Sequence, residues 1–251
     1  MSVTEHLVGN PICLYLGRTP PRIVRQIGLP TKVFGGHCTT TIRVSTDRDL
    51  ARMELRMKAF LSYWCAGWAG RAGEPAAPHD LLAYLAEADV FLYCGHGDGL
   101  SRGCGSGPGA GAGGGGGGGG GGAVCVLAGC GSARLAGGAG RAPPAAAHHA
   151  LHAARCPMVV GMLWEVTDLE VDKLVTSLLA LALPSSAPAD WRLVGKAAWS
   201  QGQLDTNVEQ KSQITSERDL LRAISKSRNA TNFLMISTSI VARGLPVRIS
   251  G

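Results

Sequence analysis

Aromatic side chains make up only 5% of the 251 residues, and alanine and glycine swell the 45% that counts as hydrophobic. Alanine and glycine bury little surface, so any core has to come from a few concentrated apolar runs. No run of about 18 apolar residues occurs, which excludes a membrane-spanning helix. The start of the chain lacks the charged-then-apolar pattern of a secretory signal. The 8 cysteines contain no C-x-x-C pair and no regular framework, which excludes a disulfide scaffold. Most of them sit in apolar segments, where a reduced cysteine behaves as a small hydrophobe. That usage fits a reducing compartment, cytosol or nucleus.

Positive charge is present but not concentrated. The net charge is +6, yet Arg18, Arg22, Arg25, Arg52, Arg56, Lys58 and Arg71 are dispersed and read as solvated surface. No nucleic-acid patch is expected. The glycines between Gly105 and Gly122 are not followed by Gly-Lys-Ser/Thr, so they form no phosphate loop. Structural zinc wants closely spaced ligand pairs on turns. Cys94 and Cys125 lie inside apolar runs instead, and neither a metal nor a cofactor is expected.

What the sequence does have is two short runs, apolar on both faces, each stopping at a reactive side chain between small residues. Asp89 to Cys94 leads into Gly95-His96-Gly97. Ala123 to Ala128 leads into Gly129-Cys130-Gly131-Ser132. Such runs predict parallel strands covered by helices on each side. In an open parallel sheet, ligands bind at the carboxyl ends of the strands. Neighbouring strands of this kind would bring an imidazole and a thiol to one edge, as a histidine-activated cysteine nucleophile requires.

Around this pair the chain reads as follows. Ile12 to Leu16 and Thr40 to Val44 are short strand candidates, with Pro20-Pro21, Pro30 and Gly35-Gly36 as loop between them. From Asp47 the apolar spacing is helical, through Met53, Met57, Phe60 and Leu61. Trp64 and Trp68 read as core. His79-Asp80 opens a helix through Leu81, Leu82, Leu85 and Ala88. Gly113 to Gly122 is ten consecutive glycines, within a low-complexity insertion at 101–122 that is expected to be disordered. Ala145 to Ala154 is a predicted helix, and its His148, His149 and His152 read as surface or satisfied core. Pro157 to Trp164 is a third buried strand, and Leu169 to Leu183 a helix capped by Thr167 or Asp168. Trp191 to Trp199 and Ser216 to Ser227 read as helical.

Three blocks carry a family resemblance: Tyr93-Cys94-Gly95-His96-Gly97, Gly129-Cys130-Gly131-Ser132, and Cys156-Pro157-Met158 through Leu163-Trp164-Glu165-Val166-Thr167-Asp168 with Asp172 one turn on. In this order they resemble the protease domain of the separase family. The last block is the most specific. Likeness covers 47–250 with gaps, and 1–46 carries no family signature, so the expected division is 1–46 and a protease domain at 47–251. The family usually has Asp where this chain has Glu165, and a small residue or Asn where it has Met162.

The resemblance implies a caspase-like three-layer α/β domain, with a mostly parallel central sheet flanked by helices. It implies a cysteine endopeptidase cleaving after arginine in the kleisin subunit of cohesin at anaphase, with securin as inhibitory partner. Cytoplasm and nucleus, with spindle and chromosomes during mitosis, are the implied locations. Catalytic roles fall on His96 and Cys130, working as a dyad. The amides of Gly97 and Cys130 are the oxyanion donors. Substrate contacts fall on Trp164, Asp168, Asp172 and Ser132, with Asp168 and Asp172 as candidates for an acidic arginine pocket beside Glu165 and Glu170. A helix beginning at Ser132 would favour the thiolate through its N-terminal amides. Family members carry a long helical-repeat region before the protease, so this chain reads as a fragment or truncated form. Two alternatives stay open: a CHAT-type caspase relative, and a catalytically inactive binding module in which the glycine insertion has separated His96 from Cys130.

Overall fold

The computed structural model describes the backbone of residues 12–15, 32–34, 41–42 and 69–71. It describes backbone and side chains of 50–65, 85, 88–97, 122–135, 146–208 and 216–249. The glycine run, Trp68 and most of the predicted helix after His79 lie outside these residues.

Three central strands fix the architecture: β5 (Val90–Cys94), β6 (Val124–Ala128) and β7 (Met158–Met162). They pair in parallel, Leu92 opposite Val126 and Val126 opposite Val160. Every residue of the three is buried, the outcome expected of runs without polar alternation. To one side lie β1 (Ile12–Tyr15), β4 (Ala69–Arg71) and β3 (Thr41–Ile42), and to the other lies β8 (Ile240–Gly244). The sheet order is β3-β4-β1-β5-β6-β7-β8. β1 and β8 run against their neighbours, so five of the seven strands point the same way. A separate parallel pair joins β2 (Lys32–Phe34) to β9 (Val247–Ile249). β2 falls in a segment read as loop from sequence, and β8 had no strand predicted for it.

Alternation along the strands divides the interior into two layers. Val90, Leu92, Val126, Val160 and Met162 face one, with α1 (Ala51–Trp64), α3 (Asp168–Ala182) and α4 (Leu220–Ser227) packed on it. Phe91, Tyr93, Cys125, Leu127 and Val159 face the other, which α2 (Ala147–Ala153) covers through Ala147 and Leu151. Helix α1 buries Met53, Arg56, Met57, Phe60, Leu61 and Trp64; spacings of three and four give it one broad inner face. Helix α4 starts where Asp219 accepts hydrogen bonds from the amides of Leu221 and Arg222, at 3.0 and 3.2 Å, a side-chain N-cap.

Trp191 to Trp199 is not the helix that its pattern suggests. It is a series of turns leading to a single 3₁₀ turn at Trp199–Gln201. The apolar spacing there serves an aromatic cluster: Trp191 meets Phe60 edge-on at 4.8 Å and Trp199 at 5.7 Å. Tertiary packing has replaced local helical pairing.

Beyond β6 the chain folds back under β7. Ser132 is 1% exposed; its hydroxyl donates to the Leu127 carbonyl at 2.8 Å and accepts the Met162 amide at 2.9 Å. One hydroxyl therefore bridges the carboxyl ends of two strands. Gly161 makes room for it, since a Cβ there would stand 2.8 Å from the Ser132 oxygen. Ser132→Ala leaves a buried carbonyl and a buried amide unpaired, which costs about 1–3 kcal/mol. Urea unfolding of this variant should show a lower midpoint with an unchanged slope.

Candidate active site

The site begins where β5 and β6 end. Gly95 continues the ladder by one bond, its amide donating to Ala128 at 3.4 Å. His96 then leaves the sheet. Its carbonyl accepts the Tyr93 hydroxyl at 2.6 Å, and Gly97 turns the chain with φ +63, a conformation glycine adopts without strain. On the neighbouring strand, a Cβ at Gly129 would lie 2.1 Å from the Gly97 carbonyl oxygen and 2.5 Å from that of Gly95. The histidine loop and the cysteine loop are thus packed main chain against main chain. Only glycine fits between them.

Cys130 follows at once and is held from β7. The amide of Gly131 donates to Trp164 at 3.0 Å and that of Ala133 to Met162 at 2.9 Å. The Cys130 thiol donates to the Val166 carbonyl at 3.3 Å and accepts the Val166 amide at 3.4 Å. The helix expected from Ser132 is not formed. Residues 130–133 make a hydrogen-bonded turn: Gly131 takes φ +59, the Ser132 and Arg134 amides close single turns onto Gly129 and Gly131, and the Gly131 and Ala133 amides bond across to the exit of β7. Stabilisation of a thiolate by a helix terminus is therefore not available here.

Cys130 is partly exposed, whereas Cys65, Cys94, Cys125 and Cys156 are buried; all five are free thiols. It lines a cavity of about 180 Å³ together with His96, Gly95 and Gly129. Leu50 at the start of α1, Met53 in it, Val166 before α3 and Val171 in it form apolar walls, and Asp168 supplies the carboxylate. The amides of Gly97 and Cys130 have no hydrogen-bond acceptor among the described residues.

The acidic residues after β7 separate by role. Asp168 opens α3, lines the cavity and is 38% exposed. Asp172, one turn on, is 1% exposed and does not line it. Both accept from Arg56, a residue missed as functional and placed among the solvated surface charges. Arg56 is 2% exposed; its Nη2 reaches Asp168 at 2.7 Å and its Nε reaches Asp172 at 2.6 Å. Burial pushes the Asp172 carboxyl up to about 8, and Arg56 pulls it the other way. Removing one member of such a buried pair costs about 3–5 kcal/mol. The signal was legible: Arg56 shares a helix face with Met53, Met57 and Phe60, and an arginine on an apolar stripe needs a buried partner.

The remaining candidates lie elsewhere. Ser132 is internal, as described. Trp164 does not line the cavity; its indole donates to the Met235 carbonyl at 3.0 Å. Glu165 is exposed and paired with Arg134 at 2.9 Å. A backbone hydrogen bond and Arg134 hold its carboxyl below the usual range. Glu170 is buried against Lys173 and Thr231. His148, His149 and His152 cluster on α2, against the opposite face of the sheet from Asp168. Among the described residues no group of His, Cys, Asp and Glu could hold a metal, and no helix is long and apolar enough to cross a membrane.

This geometry coincides with a family match. The model of the separin protease domain matches residues 35–171. The chain belongs to the separin protease-domain family. Mouse separin is 33% identical over 131 residues, 52% of this chain but 6% of the mouse protein. Two crystal structures of the Saccharomyces cerevisiae separase–securin complex match with a TM-score of 0.53 at 23% identity, over 80% of this chain. They cover 11% and 12% of the yeast chain. At that identity the likeness shows the fold, the caspase-like arrangement of separase. This separin-family chain thus spans a small part of the relatives it matches.

The contact at Gly129 gives a test independent of any activity. Gly129→Ala has to force the two loops apart, at a cost of about 1–3 kcal/mol. Hydrogen exchange should show faster exchange of the Gly95 amide. Wild-type protection at wild-type stability would mean that the loops are not in main-chain contact.

Proposed function

We propose that this chain is the proteolytic part of a separase: a cysteine endopeptidase that cleaves after arginine. Cys130 is the nucleophile and His96 the base and acid. His96 takes the thiol proton, Cys130 sulfur bonds to the scissile carbonyl carbon, and the oxygen of the tetrahedral intermediate accepts from the Gly97 and Cys130 amides. One such donor is typically worth about 2.7–4 kcal/mol at the transition state. His96 then gives the proton to the leaving nitrogen as the carbon–nitrogen bond breaks. Water, deprotonated by His96, hydrolyses the thioester and restores the thiol. No third group is needed, so the pair acts as a dyad.

The observation that carries the reading is the cavity shared by Cys130, His96 and Asp168. Its apolar walls suit the stem of a long side chain, and a carboxylate can take the guanidinium in a fork. Asp168, rather than Asp172, is the residue assigned to that contact. A glycine insertion that had pulled the two loops apart would favour an inactive binding module. The packing at Gly129 speaks for the enzyme.

By family, the substrate is the kleisin subunit of cohesin, cut to release sister chromatids at anaphase in mitosis and meiosis. Securin, the partner in the yeast complex, is by family the inhibitor, and the sites of action are cytoplasm, nucleus and spindle. An acyloxymethyl ketone peptide ending in arginine should alkylate Cys130, read by intact mass. Cys130→Ser should abolish labelling, and Asp168→Asn should slow it at least tenfold. Absence of labelling in a folded sample would leave a separase fold that binds without cutting.

A further inference from the structure

We propose that Arg56 is a positioning residue for side-chain selection: it fixes the Asp168 carboxylate at the cavity while Asp172 neutralises Arg56 from behind. This rests on the reading that the cavity takes an arginine side chain.

The geometry is that of a clamp. Asp168 and Asp172 are one helical turn apart on α3 and so face the same way. A single guanidinium from α1 reaches both, through Nη2 at 2.7 Å and Nε at 2.6 Å. The two bonds end on Oδ2 of each carboxylate. Among the described residues Oδ1 of Asp168 has no hydrogen-bond partner, and Asp168 lines the cavity. Arg56 is itself fixed, because its carbonyl accepts the Trp199 indole at 2.8 Å.

The arrangement is a poor way to gain stability. A buried ion pair is often no better than a well-packed apolar pair of the same volume. Here Oδ1 of Asp172 is also buried without a partner, a standing cost. The charges make sense when counted at the cavity. Arg56 with Asp168 alone would be neutral, and an arriving guanidinium would meet no net attraction. Asp172 ionises only above its raised range, near 8; it then offsets the charge of Arg56, and the carboxylate left in surplus is the one at the cavity. An arginine next to a cation-binding pocket is tolerable only on those terms.

The test compares wild type, Arg56→Lys, and the double variant Arg56→Met/Asp172→Met, which replaces the buried pair by apolar side chains. Each is treated, at a pH above 8 where Asp172 is ionised, with acyloxymethyl ketone peptides ending in arginine or in citrulline, its uncharged isostere. Iodoacetamide, which needs the thiol but not the cavity, serves as control. Wild type is expected to react with the arginine probe at least 100-fold faster than with the citrulline probe. Both variants should lose at least tenfold of that ratio while iodoacetamide rates stay within twofold. A double variant that is folded and keeps the wild-type ratio, while Asp168→Asn loses it, overturns the role of Arg56. No preference for arginine in wild type would instead overturn the reading of the cavity, and the proposal with it.

Discussion

Two carbonyl oxygens, those of Gly95 and Gly97, lie where the side chain of residue 129 would have to be. Everything at the candidate site depends on that approach. The parallel pairing of β5 and β6 brings Cys94 opposite Ala128 but leaves the geometry beyond the strand ends open. Main-chain contact closes it, and it does so without long side chains that could adopt other rotamers. Histidine and cysteine loops are then held by backbone, which has fewer ways to relax than side-chain packing has. Tyr93 and Ser132 finish the task from within the sheet, one bonding the His96 carbonyl and the other joining β6 to β7.

Electrostatics is organised differently, through side chains between helices. The clamp of Arg56 on Asp168 and Asp172 ties α1 to α3 across one wall of the cavity. Distant stretches of sequence thereby share responsibility for a single carboxylate. The hydrophobic layer beneath, with Met53, Met57, Val171 and Leu174 fully or nearly buried, keeps water from Arg56 and Asp172 and sharpens their dependence on exact placement.

Much of this was legible from the chain alone, for a physical reason. Strands buried on both faces write themselves as unbroken apolar runs, so β5, β6 and β7 stood out, as did the reactive residues that end them. The separation of Asp168 from Asp172 was not legible, because helical spacing gives a shared face but not which residue meets the cavity. Arg56 escaped because its charge was weighed with its neighbours in composition rather than with Met53 and Phe60 in periodicity. The turn at Gly131 was misread as a helix start, since Ser-Ala-Arg-Leu is a good helical pattern and nothing local announces bonds to Trp164 and Met162. Likewise Trp191 to Trp199 has helical spacing that packing against Phe60 overrides.

The surroundings of Cys130 also impose an order in time. Val166 and Trp164, which hold the cysteine turn, leave β7 at the point where Leu163 donates to Ser239 and Met162 pairs with Ile240. Until residues 239–244 have been synthesised, that flank of β7 has no strand beside it. During translation the elements of the site emerge first, while the strand that covers them arrives after α1 to α4. A nascent chain therefore carries the histidine and the cysteine for some time before their frame is complete. Its exposed strand edge is an invitation to pair wrongly, and a chaperone's attention would be directed to that edge.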